Sequence, residues 1–380
     1  MEQYIAMSLA LPSLAAIGKI LVFLVMLSVL VVLHELGHFI VARWNKVRVN
    51  DFALGMGPTL LKWTSPRSGT NYRLNLFPIG GYCAMQGEDG KTNEAAQQRR
   101  FLAEGETADD DNFQAKSPPR RLAIIAAGPI ANFMVAFVLL FAAAVGFGSM
   151  IATTTVDALQ PDMPAIKMGL RPGDTIVSVD GRQITSGMQL VDRIHGSAGK
   201  RLTLGIRRGN QTLTLVGTPV ERTLGGKRVG LLGFAPRQEA QRANVVAAIG
   251  DAAGSFWFFL VMQLGVLAAL VTSPAHAIGG LAGPVGIAAI SGQVQNLGWG
   301  PYFMLAAQLS ISLGIFNFLP IPALDGGRGA FIIAELLRGK PVDPEKEAVV
   351  HFAGFAALMI LMVLVTYHDI VRLVAGRGAL

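Results

Sequence analysis

The sequence predicts a polytopic α-helical membrane protein whose spans are interrupted by a polar segment with a β-hairpin and by one small soluble domain. Three observations point there. Of 380 residues, 52% are apolar and only 15% charged, against roughly 25% charged in an ordinary soluble domain. That is more hydrocarbon than one core of this size can hide from water. The apolar residues gather in runs of about 20, the length a bilayer core demands. One run also holds a cluster of ionisable groups, which lipid tolerates only when they are paired or liganded. A single cysteine excludes a disulfide scaffold, and the apolar content excludes a disordered chain. The net charge of +7 suits loops facing an anionic leaflet. With no interleaving of basic and aromatic residues, nucleic acid is not an expected partner.

Each element follows in order. Residues 1–48 hold the first span, with an apolar run over 17–41 broken by Lys19 and by His34, Glu35 and His38. That run is too long for a signal-peptide core and its basic flank comes after it, so it reads as a retained membrane helix. Residues 49–120 are polar. Within them, 50–87 alternates apolar and polar groups with glycine punctuation, and 71–76 reads as a hairpin strand. Residues 88–117 are charged and glutamine-rich and read as a mobile, water-facing insert. The second span, 121–153, is entered by Arg120-Arg121 and carries Gly128-Pro129. In 154–222 the turn Gly169-Leu170-Arg171-Pro172-Gly173-Asp174, three strand-like runs and an amphipathic helix over 187–194 give the cadence of a small mixed domain. The linker, 223–301, contains a 16-residue apolar run over 256–271, between a buried helix and a true span in length. The third span, within 302–338, ends at Pro320 and Pro322, and the fourth lies within 339–380.

The segment His34-Glu35-Leu36-Gly37-His38 sets two histidines four residues apart, on one helical face. That spacing chelates a single zinc ion and leaves the adjacent glutamate free to take a proton from water. Zinc needs a third protein ligand and an open position. Asp325 is the candidate, because Pro320 and Pro322 break the helix before it and Gly326-Gly327 allow close approach of the chain; its other reading is an interfacial cap. Asn317 offers an amide to a substrate carbonyl, or a packing hydrogen bond between helices. Arg73, Leu74, Asn75 and Leu76 offer an edge to which an unwound substrate adds as a strand, or a plain connector. The histidines lie near the inner end of the first span and Asp325 at a similar distance beyond Tyr302. The ligands come level only if both spans run the same way, so residues 256–271 are expected to lie at the interface or dip into it rather than cross. His195, His276, His351 and His368 read as exposed or interfacial, and Cys83 as a small buried residue.

Taken together, the His34–His38 motif, the stretch from Asn317 to Gly327 and the domain with its Gly169–Asp174 turn resemble the site-2 protease family. These are the bacterial intramembrane zinc metalloproteases related to the regulator-of-sigma-E protease. Gly128-Pro129-Ile130-Ala131-Asn132 resembles the family's second-helix entrance, and Gly283-Pro284-Val285-Gly286-Ile287 its segment before the third helix. The resemblance implies four transmembrane helices, a membrane-associated β-hairpin region and one inserted PDZ-like α+β domain. It assigns one Zn2+ to His34, His38 and Asp325, catalysis to Glu35 and substrate contact to Asn317. It further implies a multi-pass protein of the bacterial inner membrane, with the active site near the cytoplasmic side and the PDZ-like domain in the periplasm. The implied substrate is a single-pass transmembrane protein such as an anti-sigma factor already cut by another protease. Many relatives carry two PDZ domains where this chain has the signature of one. Two rivals stand beside this reading. A catalytically silent scaffold would tie its helices with zinc in a closed shell, and a transporter would show inverted repeats, of which the sequence has no sign.

Overall fold

Thirty-one residues from Leu14 to Trp44 form α1, about 46 Å of helix at 1.5 Å per residue. The computed structural model describes residues 14–88, 111–224, 227–241, 244–273, 282–340 and 342–374. Most of the charged insert expected over 88–117, and all of His276, lie outside the described residues. The chain divides into two compact units, Met1–Ala143 with Ile249–Leu380, and Ala144–Ala248.

In the first unit α1 is joined by α2 (Pro118–Phe147), α5 (Val245–Thr272), α6 (Pro284–Gln295), α7 (Trp299–Phe318), α8 (Asp325–Arg338) and α9 (Pro344–Val374). Phe23 and Met26 of α1 pack with Tyr302 and Ala306 of α7. Leu21, Val25 and Val29 of the same helix face outward, as do Phe352, Ile360 and Val363 of α9. Water would penalise so much exposed hydrocarbon, whereas lipid does not.

Among the described residues five helices are long and apolar enough to cross a membrane: α1, α2, α5, α7 and α9. The one beyond the expected four is α5, which qualifies on length and composition. The helix anticipated over 256–271, at the interface or dipping into it, is the C-terminal part of the 28-residue α5. Gln263 is the one strongly polar residue in that stretch, so its surface is apolar nearly all round. Gln263 itself turns toward α7, accepting from Ser312 Oγ at 3.2 Å. Ala252, Phe256 and Leu260 pack with Ala136 and Leu140 of α2 and Ile311 and Ile315 of α7.

Strands β1 (Val49–Thr64) and β2 (Asn71–Met85) are too long for a simple hairpin and fold over on themselves. Gly55, Gly57 and Gly80 sit at positive φ where the strands bend, a conformation that costs other residues far more. As a result Phe52 stands opposite both Tyr72 and Cys83, Arg73 opposite both Ala53 and Lys62, and Leu74 opposite both Leu54 and Leu61. A strand filled on both sides cannot accept a third neighbour, which corrects the expectation of an open edge at Arg73 and Leu74. Asn75 is also engaged: its amide donates to the Gly55 carbonyl at 3.0 Å and accepts from Thr59 Oγ1 at 3.0 Å. Arg73 donates to Asp51 at 2.7 Å, and Leu76 remains exposed. Residues 81–84 pair on one side only, with 51–54.

The second unit is built on a sheet of order β10-β3-β4-β6-β7, with β5 (Arg182–Gln183) against β4. Its strands are β3 (Ser149–Leu159), β4 (Thr175–Val179), β6 (Leu202–Arg208), β7 (Gln211–Gly217) and β10 (Phe234–Gln241). The short α3 (Pro164–Lys167) and α4 (Gly187–His195) accompany them, and β8 (Val220–Leu224) and β9 (Lys227–Leu231) form a separate hairpin. Leu190 and Ile194 of the amphipathic α4 close a core with Ile176, Leu204 and Ile206. Sequence reading ended this domain at 222, before β10 returns to pair with β3.

Candidate metal centre

His34 and His38 lie one turn apart on α1, and Asp325 opens α8. The turn between α7 and α8 brings them together. Pro320 and Pro322 end α7, Ala323 takes a positive φ of 77° and Leu324 caps α8 in an extended conformation. Gly326 and Gly327 serve this turn rather than the approach to a metal, since a Cβ on either would strike the backbone of Phe318, Leu319 or Ile321. α9 supports the turn from outside: the Ala323 N–H donates to His351 Nδ1 at 2.8 Å, and Gly354 leaves room for Pro322. Sequence reading placed His351 at an interface, because nothing local ties a lone histidine in an apolar run to a distant loop.

The three candidate ligand atoms converge. His34 Nε2 lies 3.0 Å and His38 Nε2 3.2 Å from Asp325 Oδ2, and the two ring nitrogens are 3.1 Å apart. Bonds of about 2.0 Å to a tetrahedral ion put neighbouring ligand atoms about 3.3 Å apart, so the triangle has the size zinc requires. The chemistry of the donor set agrees with that size. Two imidazole nitrogens and a carboxylate oxygen directed at a common point repel one another unless a cation lies between them. Asp325 Oδ2 is also a buried atom without a hydrogen-bond partner. Both histidines are buried, so water does not relieve the crowding.

α2 lies against the other side of the rings. His38 Nδ1–H donates to the Ile124 carbonyl at 2.8 Å, which leaves Nε2 with its lone pair toward the triangle. Gly128 permits the approach, because a Cβ there would collide with both imidazoles. Asn132, fully buried, places its amide 3.0 Å from His34 Nδ1. Gly128 and Asn132 stand within the Gly128–Asn132 motif, whose spacing by itself assigns neither residue a task.

Two cavities reach the centre. One, of about 360 Å³, is lined by Glu35, His38, Tyr82, Cys83, Asp325 and Arg328 among others. The second, of about 220 Å³, is lined by His34, Glu35, Asn132, Asn317 and Asp325. Glu35 and Asp325 border both, and Asn317 opens onto the second with them. Arg73, Leu74, Asn75 and Leu76 line neither. The strand that does reach the site is 81–85, where a Cβ on Gly81 would lie 3.8 Å from Glu35 Cγ. Burial, reinforced by Glu35 and Glu88, pushes the Cys83 thiol well above its ordinary range. It stays protonated at neutral pH and is no nucleophile. Arg328 donates to Glu88, whose carboxylate also accepts the Met85 N–H at 3.1 Å, so α8 is fastened to the end of β2.

A family model described as peptidase family M50 matches residues 22–361. Zinc metalloprotease RasP of Geobacillus kaustophilus is 30% identical over 416 residues, covering 93% of this chain and 97% of that protein. Regulator of sigma-W protease RasP of Bacillus subtilis is 31% identical over 425 residues, covering 94% and 99%.

Proposed function

The chain belongs to peptidase family M50, the site-2 proteases, and is a zinc metalloprotease; we propose that it cuts single-pass membrane proteins inside the bilayer, with His34, His38 and Asp325 holding the ion and Glu35 acting as general base. The convergence of the three ligand atoms from α1 and α8, with Glu35 beside them and outside the ligand set, is the observation that carries this reading. Zinc, when bound there, supplies a Lewis acid that polarises the scissile carbonyl and acidifies water.

The protein's own groups do the rest. Glu35 borders both cavities, so its carboxylate accepts a proton from water arriving by one and hands it to the leaving amine held in the other. Asn317 donates its amide to the carbonyl oxygen as negative charge develops there. A transmembrane helix hides its carbonyls in its own hydrogen bonds, so the substrate must unwind, and lipid leaves freed backbone groups nothing to bond. Strand addition satisfies them. The edge for it is 81–84 rather than 73–76, since the latter is closed at Arg73 and Leu74 while the former is paired on one side and borders Glu35. Leu74 and Leu76 contribute exposed apolar surface to the same hairpin.

The substrate class is an anti-sigma factor trimmed beforehand by another protease, a reading supported by the name of the Bacillus relative. The protein sits in the bacterial inner membrane, with its catalytic centre toward the cytoplasm and its PDZ-like domain in the periplasm. The silent-scaffold reading needs a closed metal shell, whereas two cavities meet at this centre. Replacing Glu35 with Gln, assayed on a purified single-pass substrate, should leave bound zinc at the wild-type level and lower cleavage by about 10² to 10⁴-fold. Wild-type cleavage by that variant would end the proposal.

A further inference from the structure

We propose that Asn132 is the positioning residue that fixes the ring orientation and tautomer of His34, with its amide oxygen, not its nitrogen, turned to the ring. This rests on the zinc reading of His34 and goes beyond it.

The argument begins at the other ring nitrogen. His34 Nε2 faces Asp325 Oδ2 at 3.0 Å and His38 Nε2 at 3.1 Å, so this nitrogen carries the lone pair that a ligand must offer. The proton of the neutral ring then resides on Nδ1. Nδ1 lies 3.0 Å from the side-chain amide nitrogen of Asn132, which would set two donors face to face. At the same time Asn132 Oδ1 is a buried atom with no hydrogen-bond partner, on a fully buried residue. One half-turn about the Cβ–Cγ bond of Asn132 removes both faults. The amide's oxygen and nitrogen are nearly the same in size, and the hydrogen-bond network decides between them. With the oxygen facing the ring, Nδ1–H donates to Oδ1, and the NH2 takes the oxygen's former place in a residue that lines the 220 Å³ cavity.

The surrounding structure holds Asn132 ready for this contact. Its main-chain carbonyl accepts from the buried Ser310 Oγ at 2.7 Å, which ties that turn of α2 to α7. Ile124, Gly128 and Asn132 follow at intervals of four along one face of α2. The first accepts from His38, the second makes room for both rings and the third accepts from His34. One helix thereby fixes both tautomers, each through a neutral oxygen. Residues that orient a zinc-bound histidine in this manner typically change metal affinity by about 10 to 100-fold when removed.

The test measures zinc affinity of the purified full-length chain by chelator competition, for wild type, Asn132→Asp and Asn132→Leu. A carboxylate of the same shape only accepts, so Asn132→Asp should bind zinc within about threefold of wild type or more tightly. Asn132→Leu, equal in size and without an acceptor, should bind about 10 to 100-fold more weakly. Equal affinity of the Leu variant and wild type overturns the inference, as does an Asp variant that weakens as far as Leu. Wild type that binds no zinc would instead remove the zinc reading beneath it. Should the Leu variant fail to fold, zinc-loaded wild type labelled with 15N-histidine decides the matter. A protonated, slowly exchanging Nδ1 on His34 supports the assignment, and an unprotonated Nδ1 overturns it.

Discussion

Gly128 has no side chain because two imidazoles occupy the space a Cβ would need. Replacing it with alanine should leave the helices intact but displace His34 or His38. Purified Gly128→Ala protein is expected to bind zinc at least about tenfold more weakly, with helix content unchanged by circular dichroism. Unaltered zinc affinity would show that α2 can withdraw from the rings without consequence. The ligand types were legible in sequence, since two histidines at a spacing of four, a glutamate beside them and an aspartate after a proline break are local patterns. Gly128, Asn132 and His351 were not legible in the same way. Each acts on a residue of another element, and no pattern along the chain marks an isolated asparagine or histidine as the neighbour of a distant ring or turn. Gly326 and Gly327 were recognised as close-approach glycines, but what they approach is their own turn.

At the scale of elements, the soluble unit shows what turn chemistry reveals and what it hides. The Gly169–Asp174 turn and strands β4, β6 and β7 were legible from alternation and glycine placement. β10 was not, because a strand that pairs with a segment some 80 residues earlier leaves no local trace. The turn is fastened by Asp174, which accepts two hydrogen bonds from Arg208, at 2.7 and 2.8 Å, and one from the Arg171 N–H. Hydrogen bonding from the Arg208 guanidinium holds the Asp174 carboxyl below the usual carboxylate range. A depressed folded value means that the stabilisation is complete above the unfolded value of about 4 and is lost as pH falls through the folded one. Hydrogen-exchange protection of the Ile176 and Ile206 amides in the whole protein, corrected for intrinsic exchange, should therefore decline below about pH 4. Arg208→Gln should lower protection at neutral pH and flatten that decline. An identical pH profile for both proteins would refute the assignment. The β1–β2 region teaches a related lesson: the alternation of 71–76 identified a strand, but positive-φ glycines in both strands gave it two neighbours and moved the open edge to 81–84. In α5 the apolar stretch over 256–271 was legible, and the helical residues that extend it on the N-terminal side to Val245 were not.

For the whole molecule, the long separation along the chain between α1 and α8 is what the fold has to overcome, and it does so without a local sequence signal. α2 lies against the rings, α7 delivers the proline turn and α9 supports that turn from outside. The apolar surfaces of the same helices remain turned outward, where lipid replaces water. The central claim is that one zinc ion, held jointly by His34, His38 and Asp325, makes this chain a protease. Metal analysis of the purified protein, paired with cleavage of a single-pass substrate, tests it most directly when wild type is compared with Asp325→Ala. We expect about one zinc per wild-type chain, and in the variant an affinity lowered by about 100-fold or more with cleavage lost alongside it. An Asp325→Ala protein that retained both its zinc and its activity would contradict the account.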